Sequence, residues 1–298
     1  MNWKHFAGGF TAVLAVTTIS FFVYRLDHSL HSGEGNLGGY ERAIAPKNDL
    51  VVARQYSSSL VAANKVDAKF IKPIGSKTFS IVRNEQRPKG DALNYVNSLL
   101  EKSKAGDASA TYSIYLAVAQ CNATLQPPSQ AVLDGYRKIG AEKSYLSTLE
   151  ENFEECKSLT EHSDLMKAAW LQKAAEQGSI EAMIVYATDP DSVIGSPADY
   201  LSHPERLVEY RKKSINYLNQ AASMGSVDAL MALARVYDNG ILADKSPVKS
   251  YAYYKALQVV QPDIDLRSTL IRSQSQLSSN QLSQANQMAN EIVGSCCK

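Results

Sequence analysis

The chain has almost no surplus charge. Its 31 basic and 30 acidic residues are interspersed without long runs of one sign, so it lacks the electrostatic footprint that binds polyanions, and nucleic acid is not expected as a partner. The usual signatures of catalysis are missing too. No histidine pair has the four-residue spacing of a helical zinc peptidase, no glycine-rich phosphate loop occurs, and there is no Gly-x-Ser-x-Gly nucleophile turn. His162 and His203 stand alone and read as surface or capping residues rather than bases. Glu150, Glu151, Glu154 and Glu155 look like paired acids, but consecutive and i,i+4 glutamates on one helix mark a solvated face. No catalytic residue, cofactor or metal is expected. What the chain does have is 45% apolar residues over 298 positions, enough to build a packed core.

Residues 6–24 carry no formal charge and are rich in Phe, Val, Ala and Leu, a length that crosses a hydrocarbon core of about 30 Å. Lys4 and the free amine precede this segment, and Arg25 follows it, which favours residues 1–5 in the cytoplasm and an exported remainder. An uncleaved inner-membrane signal anchor is expected, with a cleaved signal peptide as the alternative. No cysteine follows the apolar run, so a lipoprotein anchor is not expected. Residues 25–89 read as a flexible tether and irregular lead-in, because residues 29 to about 50 are rich in Gly, Ser and Asn. His28 and His31 lie there beside Asp27 and Glu34, where nothing would hold four metal ligands in place. Residues 68–72 and 78–82 alternate briefly around Pro73 and Gly75, as a small hairpin or an extended segment.

From residue 90 the periodicity becomes helical. Ile215, Leu218, Ala221 and Ala222 recur on one face, Gly225 provides a left-handed end, and Ser226 is placed to cap a second helix whose face is Val227, Leu230, Met231, Ala234 and Tyr237. The same pattern surrounds Gly106 and Gly178, and an alanine follows each turn glycine by four, at Ala110, Ala182 and Ala229. The glycines are 72 and then 47 residues apart, that is twice 36 and then 36 plus eleven. One unit between Gly106 and Gly178 must be degenerate, and the eleven extra residues fall in the proline-containing stretch 189–204. The predicted fold is all-α: an α-solenoid of stacked antiparallel helix hairpins over residues 90–298, preceded by an N-terminal transmembrane helix and tether. Tyr112, Tyr115, Tyr186 and Tyr237 are expected to face neighbouring helices. Ser278 and Gln281 fit a capping box that opens a last helix. Asn122 and Thr124 fit a glycosylation acceptor, without consequence in a bacterium.

On these residues the chain resembles the Sel-one-like repeats, relatives of the tetratricopeptide repeats, in their exported bacterial form. The match is best from Ala221 and Ala222 through Gly225, Ala229, Leu233, Tyr237 and Gly240 to Tyr254 and Ala256. Gly240 lacks the second glycine usual in the family's turn, and residues 125–165 do not fit the pattern. The resemblance implies a non-catalytic scaffold or adaptor that binds a partner protein. It also implies disulfides in exported members. Cys121 and Cys156 are 35 apart, close to one repeat, so they could face each other on adjacent helices, with two buried free thiols as the alternative. Adjacent Cys296 and Cys297 are expected to be free, joined to other chains, or linked to a distant thiol. The partners expected are an unidentified protein and, through residues 6–24, the inner membrane, with the repeat domain in the periplasm. An immunity protein that neutralises a secreted toxic effector is the second reading, and an envelope hydrolase the third.

Overall fold

A computed structural model describes residues 47–82 and 87–297. The chain is mostly helical. Helix α1 (Lys47–Ala62) leads into a two-stranded antiparallel hairpin of β1 (Ile71–Gly75) and β2 (Thr78–Ile81), with Ile71 opposite Ile81 and Pro73 opposite Phe79. The helices then follow without further strands among the described residues: α2 (Ala92–Lys104), α3 (Ala108–Thr124), α4 (Gln130–Lys138), α5 (Glu142–Thr160) and α6 (Ser163–Lys167). Next come α7 (Trp170–Gln177), α8 (Ile180–Tyr186), the short turns α9 (Asp191–Ile194) and α10 (Pro197–Ser202), and α11 (Pro204–Ser223). The last four are α12 (Val227–Asn239), α13 (Pro247–Val260), α14 (Arg267–Gln274) and α15 (Ser279–Cys296).

Three helix hairpins, α2/α3, α7/α8 and α11/α12, share one local construction. Gly106, Gly178 and Gly225 occupy the turns with φ of +92°, +100° and +88°, a region costly for any residue with a Cβ. The next residue, Asp107, Ser179 or Ser226, caps the second helix by accepting the N–H of Ala110, Ala182 or Ala229. Each of these alanines is buried, so the position three past the cap serves both the cap and the close approach of neighbouring helices. The hairpins pack in chain order: α3 against α7, α8 against α11, α12 against α13, and α13 against α15. The core between them is built from residues such as Ile114, Leu171, Ile180, Leu218, Leu230, Leu233 and Leu257. Tyr112, Tyr115, Tyr186 and Tyr237 are all buried in it. At α15, Ser278 and Gln281 form the reciprocal capping box.

Two sequence expectations are revised. Residues 47–82 are not an irregular lead-in: the hairpin reading of residues 68–72 and 78–82 holds for β1 and β2, and α1, the hairpin and the turn between them bury Leu60, Val66, Phe70 and Phe79 in the same core as the helices. The single-pass inner-membrane assignment is corrected, since no helix among the described residues is long and apolar enough to cross a membrane. The long helices each keep a solvent face: α11 carries Glu205, Arg206, Glu209, Arg211, Lys212 and Lys213, and α15 is interrupted by Asn, Gln and Ser. Residues 6–24, the tether up to residue 46, and His28 and His31 lie outside the described residues.

Candidate functional site

The turns of the three hairpins form an edge, and the segment from α1 to β2 is strapped across it. A helix leaves its first amides and last carbonyls without intrahelical partners, and the strap supplies several of them. Asn64 offers its carbonyl to the Ser109 N–H at 3.2 Å, in the first turn of α3, and Lys65 offers its carbonyl to the Ile180 N–H at 2.9 Å, at the start of α8. At the end of α11 the polarity reverses, with the Tyr56 hydroxyl donating to the Met224 carbonyl at 2.9 Å and the Phe79 N–H to the Gly225 carbonyl at 3.1 Å. Asn64 takes a positive φ of 55° to aim the chain into this path, a conformation that asparagine tolerates.

Two carboxylates from the opening turns of second helices also hold the strap. Asp228 of α12 accepts the Ile81 N–H at 2.6 Å, and Glu181 of α8 accepts the Asp67 N–H at 3.1 Å. The Ser179 hydroxyl reaches the other oxygen of Glu181 at 2.9 Å. Glu181 is only 3% exposed, and burial pushes its carboxyl up to about 7 against the hydrogen bonds that favour its charge. Glu181 and Asp228 line one cavity of about 10 Å³ together with Ile81, Tyr112, Ile184 and Val185, space for a single water.

The degenerate unit lies elsewhere. Its turn glycine is Gly140, with φ +70°, joining α4 to α5. This hairpin does not enter the stack: α3 packs directly on α7, α4 contributes no buried residue, and α5 lies against the flank of α2 and α3. Its own closure is local, through Tyr136 stacked on Tyr145 at 4.0 Å and Arg137 paired with Asp134 and Glu142. Two tethers hold it to the first hairpin. The Cys121–Cys156 disulfide joins α3 to α5, and Glu155 pairs with Arg87 at 2.6 Å while accepting the Gly90 N–H at 2.8 Å. The Gly90 amide, then the Arg87 guanidinium, hold the Glu155 carboxyl below its usual range. Left uncovered are Val132, Ile139, Leu146 and Phe153, which are 41%, 75%, 45% and 46% exposed. These are the largest concentration of exposed apolar side chains on any one hairpin of the described residues.

The sequence-predicted residues therefore fall into several places. Gly106, Gly178 and Gly225 lie together on the strapped edge, while Gly240 ends α12 in a left-handed cap with φ +77°. Cys121 and Cys156 are bridged. Cys296 and Cys297 are bridged to each other rather than free or joined to a distant thiol. His162 and His203 are exposed at the N-caps of α6 and α11 and make no side-chain capping bond. The glutamates of α5 are not merely solvated, as Glu155 is partly buried in its ion pair and Glu151 reaches Lys89 at 2.9 Å. Sequence reasoning missed Glu181, Asp228 and Gly140. Only Gly140 carried a signal, lying 34 residues after Gly106 and 38 before Gly178.

No family model and no curated protein matches this chain. Among solved structures it is similar to the crystal structure of a protective antigen present in uropathogenic Escherichia coli strains, described as displaying an SLR fold, at 15% identity and a TM-score of 0.27. The alignment covers 84% of this chain and 57% of that one, so this chain spans little more than half of that structure's length.

Proposed function

We propose that this chain is a helical-repeat protein-interaction module of the Sel-one-like kind, without catalysis, working in an oxidising compartment outside the cytoplasm after export. The carrying observation is the α4/α5 hairpin, a repeat-like unit held outside the stack with its apolar side chains in water. Val132, Ile139, Leu146 and Phe153 all remain in water on this one hairpin, and exposed apolar side chains gathered on one element are what a protein partner would cover. The Cys121–Cys156 bridge supports the compartment, because such bonds persist where thiols are not kept reduced. A periplasmic location with the amino-terminal apolar segment removed agrees with both observations.

The test is affinity capture from the envelope fraction of the native cell, with the full chain as bait beside an Ile139→Asp/Phe153→Asp variant. These side chains are 75% and 46% exposed, so the folded state should tolerate both changes. The expected result is a specific partner retained by the parent chain and lost from the variant. Equal capture by both baits would move the binding surface elsewhere, and no specific partner would sink the reading. The identity of a captured protein, envelope component or toxic effector, separates a scaffold from an immunity role.

A further inference from the structure

Glu181 lies where the strap, the α7–α8 turn and α12 meet. Its hydrogen bonds to the Asp67 N–H and the Ser179 hydroxyl tie the strap to the helix stack, beside the Lys65 carbonyl that accepts the Ile180 N–H. The groups around it include one of like charge that acts on it and one that lines the same cavity. Asp67 of the strap, itself paired with Lys69 at 3.4 Å, acts on it electrostatically, and Asp228 of α12 lines the same small cavity as Tyr112 of α3. Lys65 directs its ammonium to Gly178 on the adjoining turn. Glu181 itself makes no ion pair among the described residues.

We propose that Glu181 is a pH-operated latch: its neutral acid keeps residues 64–70 docked across the α7–α8 turn, and its ionisation loosens that docking. In the neutral form one oxygen accepts the Asp67 N–H while the acid hydroxyl donates to the Ser179 oxygen, so both contacts are kept without a buried charge. Ionisation places a buried charge near the Asp67 carboxylate, in a space with room for one water that Asp228 also lines. That charge is relieved by hydration. The helices around it are packed along their length, whereas residues 64–70 are held at this point by Val66, Phe70 and a few backbone bonds, so the strap is the wall that yields.

The sign follows from linkage. The docked carboxyl titrates at about 7 against an ordinary 4.5, so its contribution to docking is complete below 4.5, falls as pH rises through 7, and is flat above. Opening of the strap is thereby favoured by up to about two orders of magnitude between pH 5 and pH 8.

The experiment is amide hydrogen exchange on the full-length protein at pH 5, 6, 7 and 8, corrected for intrinsic exchange rates, together with carboxyl NMR titration of Glu181. Protection at residues 65–70 is expected to fall by tens- to a hundredfold across this range while the interior amides of α12 stay constant. Glu181→Gln keeps the shape and both contacts without the titration, and should leave strap protection independent of pH. Strap protection that is flat with pH in the parent protein, or a Glu181 titration midpoint near 4.5, overturns the proposal whether or not the variant folds. An unchanged pH dependence in a folded Glu181→Gln protein overturns it as well.

Discussion

The turn glycines show how one backbone conformation serves positions of different consequence. At Gly106 a Cβ would meet nothing within 4 Å, whereas at Gly225 it would lie 1.9 Å from the Lys77 carbonyl oxygen of the strap. Both have φ near +90°, so alanine at either carries the left-handed strain, but only at Gly225 must the strap also move. Gly106→Ala is therefore expected to cost about 1 kcal/mol and Gly225→Ala about 3 kcal/mol of unfolding free energy. Denaturant midpoints of the two variants measure the difference, and equal shifts would show that the strap does not press on that turn.

Among the elements, the displaced hairpin depends on covalent support. Helix α4 buries nothing and α5 buries only Cys156 and Leu159, so apolar packing alone holds the pair weakly. The Cys121–Cys156 bridge closes a loop of 36 residues, which the chain-entropy model values at about 4 kcal/mol. The Cys121→Ser/Cys156→Ser variant is expected to melt lower and to become open to limited proteolysis first within residues 125–160. The Cys296–Cys297 bridge, with a sequence separation of 1, closes no loop of the chain. Replacing that pair with serine should shift the melting temperature far less, and a comparable shift would mean that the C-terminal pair carries an unrecognised structural role.

For the whole molecule, the strap converts a row of helix hairpins into a unit with a closed edge. It buries Val66, Phe70 and Phe79 and satisfies backbone groups at three successive turns. Each of these side chains contributes about 1.5–3 kcal/mol when fully buried, comparable in sum to the total stability of many domains. A chain beginning at residue 87 is expected to lose its cooperative thermal transition, or to show it at a much lower temperature, and to bind a hydrophobic dye. A truncated chain melting like the parent would show that the strap only decorates the stack.

The hairpins were legible in the sequence because their rules are local. A positive φ demands glycine, a cap reaches three residues forward, and a helix repeats every 3.6 residues, so Gly178, Ser179 and Ala182 announce their roles within five positions. Cys121 and Cys156 were readable as facing residues through their repeat-like spacing. The hairpin was legible as an alternative, but the docking of the strap was not, because it binds largely through backbone groups that every residue possesses, to partners as far away as the 168 residues separating Tyr56 from Met224. The polar character of residues 29 to about 50 suggests a tether running on into an irregular lead-in, yet burial of Phe70 and Phe79 gives that lead-in its order. For the same reason Glu181 looks in sequence like any surface glutamate in a first helical turn. Its burial and its bond to the Asp67 N–H come from a segment more than a hundred residues earlier in the chain, so only the tertiary structure sets it apart.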